Sequence, residues 1–211
     1  IEALNLSSAV LNNCGVIEGD ALTLAIKNAL TNRDTGKVLA TKTLAFDGNT
    51  LTNKGTLAAD NAQLAVDILN NSGLVQGNNG LVIQGNTANG LQTTGLRRFA
   101  VAQTPAASVL NNLDGGQLLS GGNLTLAADK GDNAGTLQGR MLNITAGNWN
   151  NEGALLGLQG AALSVSNMLA NSGTLLSQAG FDIRAGALEN SGQLAASTLN
   201  LHSDSISNSG L

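Results

Sequence analysis

Asp20 and Asp60 are the two carboxylates of this chain whose placement comes nearest to a catalytic pair. They occupy similar corner positions two sequence repeats apart, which at a strand spacing of ~4.8 Å separates them by about 10 Å. That is close to the span at which an acid and a base flank a glycosidic bond. No third group supports them. Nucleophilic chemistry at Cys14, the single cysteine, would need a base beside it, and the single histidine, His202, stands at the other end of the chain. One His and one Cys give no metal-ligand spacing. The stretch "GGNLTL" (121–126) lacks the glycine and lysine spacing of a phosphate loop. Asp129, Lys130 and Asp132 mix signs and read as a turn. What remains is the chemistry of contact. Arg97 and Arg98 are adjacent basic residues, Phe99 follows them, and the sole proline, Pro105, lies shortly after. Arginine and aromatic side chains are favoured at binding hot spots, so these three are the candidate contact residues.

The elements that must position them follow from composition and period. The chain has 211 residues, 42% of them hydrophobic, 2% aromatic and 11% charged, with a net charge of −4. Few Lys, Arg or aromatic residues and a negative balance exclude a nucleic-acid partner on composition. No apolar run reaches the ~18 residues of a spanning helix. The chain also begins in mid-pattern, at "IEALNLSSAV", as a piece of something longer would.

One pattern recurs along the whole length. Blocks start at Leu11, Leu30, Leu51, Leu69, Leu91, Leu110, Gly131, Trp149, Leu169, Leu188 and Ile206, 18 to 22 residues apart. Their third positions read Asn13, Asn32, Asn53, Asn71, Thr93, Asn112, Asn133, Asn151, Asn171, Asn190 and Asn208. A glycine follows two residues later in most blocks. In two it is delayed, to Gly36 and Gly115. Within each block the apolar residues alternate with a strand-like period of two, as in "LTLAI" (22–26) and "FDIR" (181–184).

A block this short cannot bury its own apolar face. Stacking the blocks as coils solves this, each strand pairing in parallel with the coils above and below. One inward line would hold Leu11, Leu30, Leu51, Leu69, Leu110, Trp149, Leu169 and Leu188. A second would run from Ile17 and Val38 to Leu194, and a third would use pairs such as Leu24/Ile26, Leu44/Phe46 and Leu163/Val165. The ten asparagines then form a ladder, because stacked amides donate and accept along the stack. The neighbouring glycines would let the corner take positive φ. The expected fold is all-β, a parallel β-helix of about ten coils, with one irregular coil at 84–109 where Thr93 replaces Asn. Proline there fits an edge or a loop rather than a central strand.

Blocks such as "LNNSGLVQGNNGLVIQG", "LTNKGTLAADNAQLAV" and "LNNLDGGQLLSGGNLTLAADKGDNAGTLQG" resemble filamentous-haemagglutinin repeats. Such repeats occur in the exoproteins of two-partner secretion: adhesins, haemolysins and contact-dependent growth inhibition effectors. The resemblance covers nearly the whole chain. It implies a right-handed helix, secretion to the bacterial cell surface through an outer-membrane transporter partner, and presentation of a contact to a protein or glycan receptor on a neighbouring cell. Residues 1–211 then read as a single β-helix segment, a shaft or receptor-presenting piece. It is expected to have no catalytic role of its own, no cofactor and no metal, with Arg97, Arg98 and Phe99 as receptor contacts. The rival reading is a carbohydrate-active β-helix enzyme using Asp20 and Asp60.

Overall fold

Each coil starts just after a corner glycine and ends on a corner asparagine, and between them the chain bends round a filled interior. The computed structural model describes residues 1–86 and 106–211. Its strands are β1 (Ala3–Asn13), β2 (Val16–Asn32), β3 (Lys37–Asn53), β4 (Thr56–Asn71), β5 (Leu74–Gln84) and β6 (Ala107–Asn112). They continue as β7 (Gln117–Ser120), β8 (Asn123–Asn133), β9 (Thr136–Asn151), β10 (Ala154–Asn171), β11 (Thr174–Asn190) and β12 (Gln193–Asn208). All pair in parallel: β1 to β4 stack in succession, β4 pairs with both β5 and β6, β5 with β7 and β8, β6 with β8, β7 and β8 with β9, and β9 to β12 stack in succession. The result is a parallel β-helix of ten coils, roughly 45 Å long at ~4.8 Å per coil.

The interior is apolar and arranged in columns. Leu11, Leu30, Leu51 and Leu69 stack in register, and the column continues through Leu110, Gly131, Trp149, Leu169 and Leu188. A second column runs Ile17, Val38, Leu57, Val75, Leu118, Leu137, Leu155, Leu175, Leu194. From Leu30 to Leu188 the leucines of the first column are at most 1% exposed, so the column is dry. Each such side chain contributes about 1.5–3 kcal/mol on burial.

The third side differs from expectation in two coils. Leu22 and Leu24, not Leu24 and Ile26, align with Leu44 and Phe46, and Ala161 and Leu163 align with Phe181 and Ile183. Three alternating residues point inward there, and a period of two cannot say which pair matches the neighbours.

Side-chain volumes compensate between coils. Gly131 sits opposite Trp149, and a Cβ at Gly131 would overlap the indole ring. The ring thus fills its own position and the one left empty below. Trp149 is 1% exposed, and its Nε1 has no hydrogen-bond partner.

The corner glycines serve a purpose other than the one expected. Among the described residues Gly115 is the one glycine with positive φ, at 75°. At the other corners, Gly15 of the first coil apart, close approach requires glycine. A Cβ at Gly73 would overlap Gly55 O, one at Gly153 Gly135 O, and one at Gly192 Gly173 O. Backbone donors tie the column together: Thr56 N to Gly36 O (3.0 Å), Leu74 N to Gly55 O (2.9 Å) and Gln117 N to Gly73 O (2.8 Å). In the coil that begins at Leu110, Gly116 rather than Gly115 therefore holds the column position, since Thr136 N bonds Gly116 O.

Candidate functional site

Two features set particular residues apart from the repeating background: the buried amide column and the seam where one coil is interrupted. The column is made by the corner asparagines at the ends of the strands. Asn13 donates from Nδ2 to Asn32 Oδ1 at 2.9 Å, Asn32 to Asn53 and Asn53 to Asn71 at 2.8 Å each, and Asn71 to Asn112 at 2.8 Å. The series continues from Asn112 to Asn133, Asn151, Asn171, Asn190 and Asn208, at 2.6–2.8 Å. From Asn32 to Asn190 the side chains are at most 4% exposed. Nearly every Nδ2 is also shared with the carbonyl of its own corner glycine and with a carbonyl of the next coil, as for Asn71 with Gly73 O (3.0 Å) and Gln117 O (3.2 Å). A polar group this deep must be paired, and here each amide is.

The link from Asn71 to Asn112 locates the seam. Elsewhere successive column residues are 18–21 positions apart, and here the step is 41. β5 pairs with β4 as far as Gln84 opposite Ala65, and β6 resumes with Val109 opposite Ile68. Ser108 Oγ bonds the Asp67 carboxylate, so Ala107 falls opposite Val66. Gln84 and Ala107 thus fill adjacent positions of one coil, with twenty-two residues, 85–106, between them. The expected irregular coil at 84–109 falls mostly outside the described residues, and the corner of Asn71 is followed in the stack directly by that of Asn112. Ten coils, not eleven blocks, make the rod. Thr93, Arg97, Arg98, Phe99 and Pro105 lie outside the described residues.

The sequence carries a sign of the seam. "VDILNN" (66–71) matches "ASVLNN" (107–112), and "LVIQ" (81–84) matches the third-side strand before it. The spacing of the asparagines alone does not show it. At the root of the intervening stretch, Asn86 borders a cleft of about 760 Å³ whose other walls include Ser7, Ser8, Lys27, Asn28, Asp47 and Asn49. The walls offer amides, hydroxyls, one ammonium and one carboxylate.

Asp20 and Asp60 lie at the same corner two coils apart and take different partners. Asp20 accepts from Lys42 Nζ at 2.9 Å and Thr41 Oγ1 at 2.7 Å. These bonds, Lys42 first, hold its carboxyl below the usual carboxylate range. Asp60 accepts from Asn78 Nδ2 at 3.0 Å instead. Cys14 is exposed on the first coil and His202 on the last, so neither can act on the other. Lys130 and Asp132 pair at 2.8 Å on the surface. Among the described residues no three His, Cys, Asp or Glu side chains gather as metal ligands, and no helix is long and apolar enough to cross a membrane.

Known proteins carry the same repeat. The chain is 32% identical over 158 residues to the deoxyribonuclease CdiA of Dickeya dadantii, a match covering 74% of this chain and 4% of that protein. It is 30% identical over 204 residues to the toxin CdiA of Escherichia coli, covering 92% of this chain and 6% of that one. With the tRNA nuclease CdiA of Escherichia coli strain NC101 it shares 30% over 241 residues, 98% of this chain and 7% of the relative. The chain is a filamentous-haemagglutinin-type repeat region of a two-partner-secretion exoprotein. No family model and no solved structure matches the repeat region.

These relatives correct one expectation. The repeat region was expected to lack an enzymatic role, and the relatives are named as a deoxyribonuclease and a tRNA nuclease. The expectation rested on the composition and carboxylate placement of 211 residues, whereas the repeat region spans only 4–7% of the length of these relatives.

Proposed function

We propose that the repeat region is a stiff length of a secreted, cell-surface exoprotein of contact-dependent growth inhibition, and that the parent protein carries a nuclease. The supporting observation is its likeness to nuclease-named CdiA relatives over as much as 98% of the chain. Secretion would use an outer-membrane transporter partner. Residues 1–211 act as one segment, in which uniform coils give stiffness and the interrupted coil gives an address.

In this reading Arg97, Arg98 and Phe99 contact a protein or glycan receptor on a neighbouring cell. Two features support it. The intervening residues interrupt the coil at a single step, and they hold the chain's only adjacent arginines beside one of its three phenylalanines. Two hot-spot arginines contribute enough that removing both should weaken binding roughly tenfold or more.

The test compares target-cell binding by the 211-residue chain, by the Arg97→Ala/Arg98→Ala variant, and by a deletion joining Gln84 to Ala107. Binding should fall in both variants while the β-sheet circular dichroism stays as in the parent. Undiminished binding by the double variant would overturn the receptor assignment. For the parent protein, incubation of the full-length chain with DNA, tRNA and ribosomal RNA should yield cleavage of one of them. Intact substrates throughout would remove the nuclease reading.

A further inference from the structure

The residue after each corner asparagine points outward, and these residues stack along the side of the rod as a column of their own. Backbone bonds fix the order: Arg33 N to Asn13 O, Lys54 N to Asn32 O, Ser72 N to Asn53 O, Leu113 N to Asn71 O, Ala134 N to Asn112 O and Glu152 N to Asn133 O. Ser172 N and Ser191 N continue the series on Asn151 O and Asn171 O. Apart from half-buried Ser72, every one of these residues is exposed. Cys14, after Asn13, holds the equivalent place on the first coil and is exposed too.

This edge changes sign along its length. Its basic stretch holds Arg33, Lys54 and, at the start of β3, Lys37, and among the described residues none of the three is in an ion pair. Asp34 shares the turn with Arg33 and Lys37 and leaves it net positive. The acidic stretch holds Asp114, Asp132 and Glu152. Leu113 stands between the two stretches and is 46% exposed. A two-fold axis across the edge, between the corners of Asn71 and Asn112, makes this order complementary to itself. It sets two rods antiparallel, with Ser72 facing Leu113 of the other copy, Lys54 facing Ala134 and Arg33 facing Glu152. The two Leu113 side chains then lie one strand spacing apart, ~4.8 Å. Lys54 falls between Asp114 and Asp132 of the other copy. The corners at 32–36 and 112–116 are longer than the rest, and each meets a short one, 151–153 and 71–73.

We propose that two copies of this chain pair side by side and antiparallel along this edge, Leu113 packing on Leu113 at the centre while Arg33 and Lys54 of each copy meet carboxylates of the other. Such a contact is isologous and closes at two copies. An apolar centre flanked by charge is the usual plan of a protein interface. A single edge is narrower than a standard interface, so the pair forms and parts with concentration.

The experiment is sedimentation equilibrium of the 211-residue chain over a concentration series, which should show monomer giving way to dimer. A chain that stays monomeric at every concentration would overturn the proposal. Arg33→Glu and Glu152→Arg each place like charges opposite one another at both ends of the contact. Each should raise the dissociation constant roughly tenfold or more. The Arg33→Glu/Glu152→Arg double variant restores both pairs and should dimerise as the parent does. Undiminished pairing in the single variants, or no recovery in the double one, would refute the register. A short bis-maleimide reads the orientation. Cys14 faces Ser172 in the antiparallel pair, whereas the two Cys14 thiols lie about 34 Å apart at ~4.8 Å per coil. Ser172→Cys should therefore give a covalent dimer and the parent none. Cross-linking of the parent through Cys14 alone, or none in Ser172→Cys, would refute the antiparallel arrangement.

Discussion

Replacing Asn133 by alanine isolates what one amide of the buried column contributes. Asn133 is 1% exposed. Its Oδ1 accepts from Asn112 at 2.8 Å, and its Nδ2 donates to Asn151 Oδ1 at 2.7 Å and to Ala154 O at 3.2 Å. In Asn133→Ala, Asn112 keeps the carbonyls of Gly116 and Thr136 as acceptors and loses one bond, at about 1 kcal/mol. Asn151 Oδ1 loses its donor in a place water does not reach, which costs about 1–3 kcal/mol more. The sum is a destabilisation of about 2–4 kcal/mol. Urea unfolding followed by circular dichroism measures it. Asn150→Ala is the control: its amide bonds Glu152 Oε1 on the surface, so the change should stay within about 0.5 kcal/mol. Neighbouring coils can open separately in a stacked fold, so amide exchange at Asn112, Asn133 and Asn151 should localise the loss to those coils. If Asn133→Ala costs no more than Asn150→Ala, the buried amides are not stabilising the stack and the argument fails.

Gly131→Leu should overpack against the Trp149 indole and destabilise by about 1–3 kcal/mol. Gly131→Leu with Trp149→Leu should recover most of that by restoring an all-leucine column, and thermal melts of the single and double variants read the difference. Lys42→Met removes the main cause of the low Asp20 carboxyl pKa, so an NMR titration should show that pKa rise. With its pKa depressed in the folded state, Asp20 contributes stability above its unfolded pKa. That contribution is lost as pH falls through the folded value, and in Lys42→Met the acid-side loss should shrink.

The architecture was legible because a repeat states the same constraint many times. Leu57 alone could belong to anything, but Leu57 in register with Val38, Val75 and Leu118 defines a column. The amide column could be read for the same reason. Errors arose where the pattern was locally degenerate. Leu22, Leu24 and Ile26 alternate equally well, and only the neighbouring coil decides which two align with Leu44 and Phe46. Gly115 and Gly116 are adjacent, and the hydrogen bond from Thr136 N selects the second. The steric role of Gly73 and its equivalents was hidden because it depends on a carbonyl one coil away. The nuclease names of the relatives have no counterpart in the residue pattern of the repeat.

The 41-residue step from Asn71 to Asn112 has a consequence for reach. A coil raises its successor by one strand spacing, about 4.8 Å, however many residues it contains. The interrupted coil spends twenty-two residues, 85–106, without adding to the length of the rod. Residue count and reach are therefore independent variables in this protein. Insertions at such a seam can lengthen, shorten or change wholesale while everything beyond Asn112 keeps its height and its bearing around the axis. A change of one residue inside a regular coil has no such freedom, because it shifts the register of every column it meets.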